Sequence, residues 1–137
     1  MSIFNNYNWD NINFLIADDD NNCHLLLDKA LRKTGADVIH AFSGTEAIKQ
    51  LESKENIDLA LIDILMPGFN GYEVVEQTRG MCPGVIFVAY TADILRLDKQ
   101  RCFNAGFSKY IIKPLLPIRL FSEMEQLLLM KKQAIDI

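Results

Sequence analysis

The stretch Leu61-Ile62-Asp63-Ile64-Leu65-Met66-Pro67-Gly68-Phe69-Asn70-Gly71 decides the fold. An apolar run, Leu59–Ile62, stops abruptly at a carboxylate. A Pro-Gly turn follows, and Asn70 with Glu73 then forms a helix-capping pattern ahead of Val74, Val75 and Thr78. The run is continuous rather than alternating, as in a strand buried on both faces of a parallel sheet. Strand, polar end, turn and helix make one β-α unit.

The same unit recurs on either side. Apolar runs at 14–17, 85–90 and 107–112 read as buried strands, and Asp37–Ala41 is a weaker run suited to an edge. Helical spacing fills the gaps. Residues 22–34 carry Leu27, Ala30 and Leu31, with Gly35 as the stop. Ser43 and Glu46 form a capping-box pattern before Ala47, Ile48 and Leu51. Residues 93–105 read as one helix ended by Gly106. Pro117 opens the last helix, with Leu120, Met124, Leu127 and Leu128 on one side. Strict alternation predicts a parallel sheet with helices on both faces. The expected layout is an arm at 1–12, one domain at 13–132 and a tail at 133–137.

A chain of 137 residues, half of them apolar and 23% charged, suits one folded domain. The net charge of −4 gives no general attraction to nucleic-acid phosphates. No apolar run approaches the roughly 20 residues of a membrane span. The Asn-rich start lacks the positive charge of a signal peptide. Three cysteines, Cys23, Cys82 and Cys102, lack metal-ligand spacing and read as reduced thiols of a cytoplasmic protein.

Polar residues end every central strand: Asp18, Asp19 and Asp20, then Asp63, Thr91 and Lys113. In a parallel sheet these ends share one edge, where open α/β sheets bind ligands. Taken singly, each has an ordinary reading as a solvated turn, a cap or a surface lysine. Together they make an acidic pocket with one cation and one hydroxyl. Crowded carboxylates call for a cation, and oxygen ligands suit Mg²⁺. A carboxylate also serves as a nucleophile toward phosphoryl groups, with a lysine and a hydroxyl to balance the phosphate oxygens. Other motifs fail. A calcium loop beginning at Asp18 would want glycine and glutamate where Cys23 and Lys29 stand. A haloacid-dehalogenase-type phosphatase would want an aspartate at Leu65. Glycine-rich phosphate loops are missing, which argues against nucleotide binding, and Asp18–Asp20 would repel the phosphate of a flavin carrier. His24 and His40 are read as non-catalytic.

Phe-Leu-Ile-Ala-Asp-Asp-Asp at 14–20, the 61–71 stretch, Thr91-Ala92 and Tyr110-Ile-Ile-Lys-Pro at 110–114 resemble the receiver domain of two-component response regulators. The resemblance covers residues 13–132. It implies a flavodoxin-like (βα)₅ fold with strand order 2-1-3-4-5. It implies that Asp63 accepts a phosphoryl group from a histidine kinase or phosphotransfer protein. Asp18, Asp19 and Asp63, with the main-chain carbonyl of Leu65, would hold Mg²⁺. Thr91, Ala92 and Lys113 would surround the phosphoryl oxygens. Tyr110 would follow Thr91 as an aromatic switch, and Lys113–Pro114 would be a cis peptide. The signal would reach an unidentified downstream protein through the fourth helix, fifth strand and fifth helix, where a homodimer could also form; of the apolar Met124, Leu128 and Leu129 there, core packing is the expected role of at least two and partner surface the role of the rest. Asn70 stands where the family usually has aspartate, and either caps a helix. The few residues expected after the last helix leave no room for a DNA-binding output domain, which leaves a free-standing receiver or an excised hybrid-kinase receiver; the wording around Thr91 and the upstream Trp9 resemble the latter. A pseudo-receiver, a pure interaction module, would have no reason to keep the whole set.

Overall fold

The computed structural model describes residues 7–53 and 56–136. Five strands form one parallel sheet: β1 (Asn13–Ala17), β2 (Asp37–Ala41), β3 (Leu59–Ile62), β4 (Ile86–Thr91) and β5 (Lys109–Ile112), in the order 2-1-3-4-5. The helices are α1 (Asn21–Arg32), α2 (Gly44–Glu52), α3 (Gly71–Thr78), α4 (Lys99–Ala105) and α5 (Pro117–Asp136). This is the flavodoxin-like doubly wound arrangement.

The continuous strands divide into two cores by their period of two. Leu15, Ala17, Ala60, Ile62, Phe87 and Ala89 pack with α2, α3 and α4. Phe14, Ile16, Leu59, Leu61, Ile86 and Val88 pack with α1 and α5. Both layers exclude water, which is why no strand alternates in sequence.

Local signals set the helix ends. Asn70 and Glu73 make a complete capping box. Ser43 accepts from the Glu46 amide, whereas the Glu46 carboxylate reaches past Ser43 to the Phe42 amide at 2.8 Å. Gly106 ends α4 at φ 124°, a conformation that favours glycine.

Three expectations need correction. Residues 93–105 are not one helix. A 3₁₀ turn at Ile94–Arg96 is capped by Asp93, and α4 restarts after Asp98, whose side chain accepts from the Arg101 amide at 3.0 Å. Two short acids, each able to cap, split what periodicity joined. Of the expected arm, residues 1–6 lie outside the described residues, but Tyr7 and Trp9 pack on the domain. Trp9 is buried against Phe14 and Phe121, and its indole donates to Glu125 at 2.6 Å. The expected tail continues α5 as far as Asp136, and Ile137 lies outside the described residues.

Candidate functional site

Parallel register carries four strand ends to one edge. Ala17 pairs with Ile62 and Thr91 with Ile112, so Asp18 follows β1 beside Asp63, and Lys113 follows β5 beside Thr91. The main chain pins each one. The amides of Asp18, Asp63 and Lys113 donate to the carbonyls of Ala41, Ala17 and Thr91 at 3.1, 2.9 and 2.9 Å.

Lys113 reaches back between the two acids. Its ammonium bonds Asp18 Oδ2 and Asp63 Oδ2, the latter at 3.2 Å. Asp18 is 2% exposed, Asp63 is half-buried and Asp19 is open to solvent. One carboxylate oxygen from each of Asp18, Asp19 and Asp63 lies within 4.8 Å of the others. An all-oxygen donor set of this size, with one open side, fits Mg²⁺. The neighbouring Asp20 caps α1, accepting from the Asn22 amide at 2.9 Å.

Electrostatics follow from that packing. Burial pushes the Asp63 carboxyl above its usual range; Lys113 pulls it down, and the Asp18 charge pushes it up again. Burial opposes charge on Lys113, yet its bond to Asp18 and the charge of Asp63 outweigh that and hold the ammonium firmly protonated. The site thus holds a half-buried carboxylate, Asp63, whose counter-ion is the Lys113 ammonium.

The remaining predicted residues cluster around it. Thr91 is buried, lies close enough to Asp63 to favour its charged form, and accepts from the Asp93 amide at 3.2 Å. Ala92 is exposed beside it. The Leu65 amide donates to Asp63 Oδ1 at 3.2 Å, while its side chain is 48% exposed at the mouth. Lys113–Pro114 is a cis peptide. Tyr110 sits on β5, half-buried, edge-on to Phe103 at 6.3 Å and beneath the Lys99 ammonium. A cavity of about 470 Å³ between α4, β5 and α5 is lined by Phe103, Tyr110, Glu123, Leu127 and Met130. Met124 is fully buried in the core and Leu128 packs against it, so apolar surface in this region comes from Leu129, Phe103 and Met130.

Two residues read from the sequence only as a reduced thiol and a non-catalytic histidine prove to be neighbours of the pocket. Burial, followed by the Asp18 charge, pushes the Cys23 thiol up to about 12, so it is a neutral, inert lining group. His24 is buried, its Nε2 paired with the Asp18 carbonyl at 2.7 Å and its Nδ1 facing His40 Nδ1 at 2.6 Å; His40 Nε2 in turn meets Asp28 at 2.7 Å. This chain ties α1 and β2 to the exit of β1. Helical spacing alone could have placed Cys23 and His24 one turn from Asp20.

The pattern has relatives. The family model described as the response regulator receiver domain matches residues 14–125. A cyclic di-GMP phosphodiesterase of Thermotoga maritima is 36% identical over 101 residues, covering 73% of this chain and 26% of that protein. The chain spans 51% and 6% of the next two curated relatives. Among solved structures, a response regulator receiver domain protein of Methanospirillum hungatei is 27% identical with a TM-score of 0.82, covering 90% of this chain and 98% of that one. The response regulator TrrA of Thermotoga maritima, solved in complex with Mg²⁺ and BeF, is 28% identical with a TM-score of 0.75, covering 85% and 98%.

Proposed function

This chain belongs to the response regulator receiver domain family, a phospho-accepting switch of two-component systems, and on that premise we propose that Asp63 is the residue that takes the phosphoryl group. The family is a signalling module rather than an enzyme class, although one relative carries a phosphodiesterase name. The observation that carries the assignment is the Asp63 carboxylate, half-buried at the sheet edge and bonded to Lys113, with Asp18 and Asp19 within 4.8 Å.

In the proposed reaction an Asp63 oxygen attacks the phosphorus of a phosphohistidine on a histidine kinase or phosphotransfer protein. The P–N bond breaks and its electron pair returns to the imidazole, which takes a proton. Mg²⁺, held by Asp18, Asp19, Asp63 and the Leu65 carbonyl, would neutralise charge on the phosphoryl oxygens. Lys113 exchanges its Asp63 oxygen for a phosphoryl oxygen, keeping Asp18 as its anchor. The Thr91 hydroxyl turns to a second oxygen, and Ala92 leaves room. Tyr110 then takes the space Thr91 vacates and alters the α4-β5-α5 face, where a downstream protein or a second copy would bind. Reduced thiols and a kinase donor fit a cytoplasmic location. Among the described residues no helix is long and apolar enough to cross a membrane.

Acetyl phosphate with Mg²⁺ tests the assignment. Intact mass should show one added phosphoryl group on the parent and none on Asp63→Asn. Equal labelling of both proteins would refute Asp63 as the acceptor.

A further inference from the structure

From Thr91 a hydrogen-bonded path leads away from the acidic pocket. The Thr91 hydroxyl accepts from the Asp93 amide at 3.2 Å, and the Asp93 carboxylate accepts from the Arg96 amide at 3.2 Å, closing the 3₁₀ turn. The Arg96 carbonyl accepts from the Tyr72 hydroxyl at 3.2 Å. The same Tyr72 oxygen accepts from the Asp98 amide at 2.6 Å. Asp98 then caps α4. One hydroxyl on α3 therefore bridges the break between the 3₁₀ turn and α4.

Tyr72 is held firmly. It is 4% exposed, edge-on to Phe107 at 6.5 Å and 4.6 Å beneath the Arg101 guanidinium. Its neighbour Gly71 lies against the peptide of Asp63. The Gly71 amide donates to the Ile64 carbonyl at 2.8 Å, and a Cβ at Gly71 would stand 2.5 Å from the Asp63 carbonyl oxygen. Only glycine allows that approach. At its other end α3 holds α4 again, with Arg79 donating to the carbonyls of Asn104 and Ala105 at 2.5 and 2.9 Å. The start of α4 is thus referred, through one side chain, to a helix that begins on the backbone of Asp63.

We propose that Tyr72 is a positioning residue for the switch: its hydroxyl latches the connection between β4 and α4, and movement of the Thr91 hydroxyl toward a phosphoryl group reaches α4 through that latch. This rests on Asp63 and Thr91 forming the phosphoryl site. When Thr91 turns to a phosphoryl oxygen it gives up the Asp93 amide. The 3₁₀ turn then loosens, the Arg96 carbonyl draws away from Tyr72, and the Asp98 amide loses its fixed acceptor. Phenylalanine at this position keeps the ring and its packing while deleting these bonds and a longer contact of the hydroxyl to the Asp98 carbonyl at 3.5 Å.

Hydrogen exchange of the full chain separates this role from simple core packing. Without a phosphodonor, Tyr72→Phe should exchange the amides of Asp98 and its neighbours to Arg101 about tenfold faster than the parent, the effect of losing one hydrogen bond, with β1 and β3 unchanged. Acetyl phosphate with Mg²⁺ should raise exchange there in the parent and change it little in Tyr72→Phe. A second variant, Asp93→Ala, cuts the path outside the core and should also remove the phosphodonor-induced change at 98–101. Unaltered exchange at 98–101 in unphosphorylated Tyr72→Phe, or an undiminished phosphodonor response in Asp93→Ala, would overturn the latch. Intact mass on the same samples keeps the two ideas apart: full labelling of both variants is expected, and failure of the parent to label would remove the phosphoryl reading while leaving the unphosphorylated comparison valid.

Discussion

Replacing Lys113 with methionine keeps an unbranched stem and removes the cation bonded to two enclosed carboxylates, Asp18 and Asp63. The Lys113 side chain is 17% exposed, Asp18 3% and Asp63 12%. Removing one partner of such an arrangement strands buried charge and costs about 3–5 kcal/mol. The lower end is expected here, because Asp63 is only half-buried and water still reaches part of its carboxylate. With a urea slope of about 2 kcal/mol per M for a domain of this size, about 3 kcal/mol lowers the midpoint by about 1.5 M. Mg²⁺ should restore most of that loss, because it supplies the missing charge, whereas in the parent it must compete with the ammonium. The assay is urea unfolding followed by the fluorescence of Trp9, the single tryptophan, buried in the α1/α5 core. A midpoint unchanged in metal-free buffer, or an equal Mg²⁺ effect on both proteins, would refute the reasoning.

Other outcomes follow from the same geometry. Asp19→Ala removes an exposed carboxylate proposed to hold Mg²⁺ and no core contact, so urea unfolding should match the parent within about 0.5 kcal/mol while labelling by acetyl phosphate is lost. Leu65→Asn places a water-orienting amide at the mouth of the pocket, and phosphate release after donor removal should be about tenfold faster, about 1.4 kcal/mol of barrier. Burial opposes but does not cancel the bonds from His40 and Arg32, which leave the Asp28 carboxyl below its ordinary range. Its stabilising contribution is therefore present above the unfolded pKa and lost as pH falls through the lower folded value. Asp28→Asn should cost about 0.5–1 kcal/mol at neutral pH, a difference that shrinks in acid denaturation curves below the ordinary carboxylate range. Beryllofluoride should shift backbone NMR signals near Phe103, Tyr110 and α4 more than those of α2.

The fold was legible because this sheet is buried on both sides: Leu59-Ala60-Leu61-Ile62 has no polar break, and each central strand stops at a polar residue. The site was legible for the same reason, since register fixes where Asp18, Asp63, Thr91 and Lys113 emerge. Less legible was anything depending on which polar atom meets which. Asp93 and Asp98 are both capping residues, and spacing alone cannot say that both are used. Tyr72 reads as one more apolar position of α3, because nothing in a sequence shows a hydroxyl meeting the main chain of another helix. Trp9 lies ahead of the first strand, and its burial depends on Phe121 and Glu125, more than a hundred residues away. The last helix is apolar over a wide arc, and only the packed structure distinguishes buried Met124 from exposed Leu129 and Met130.

The most direct measurement of the central claim is to locate the phosphoryl bond itself. Borohydride reduces an acyl phosphate at an aspartate to homoserine and leaves phosphoserine, phosphothreonine and phosphohistidine without that product. After labelling with acetyl phosphate and Mg²⁺, reduction and peptide mass mapping, the account predicts homoserine at position 63 and at no other aspartate. Homoserine at position 18 or 19 instead, or a phosphoryl group that survives borohydride unchanged, would contradict it.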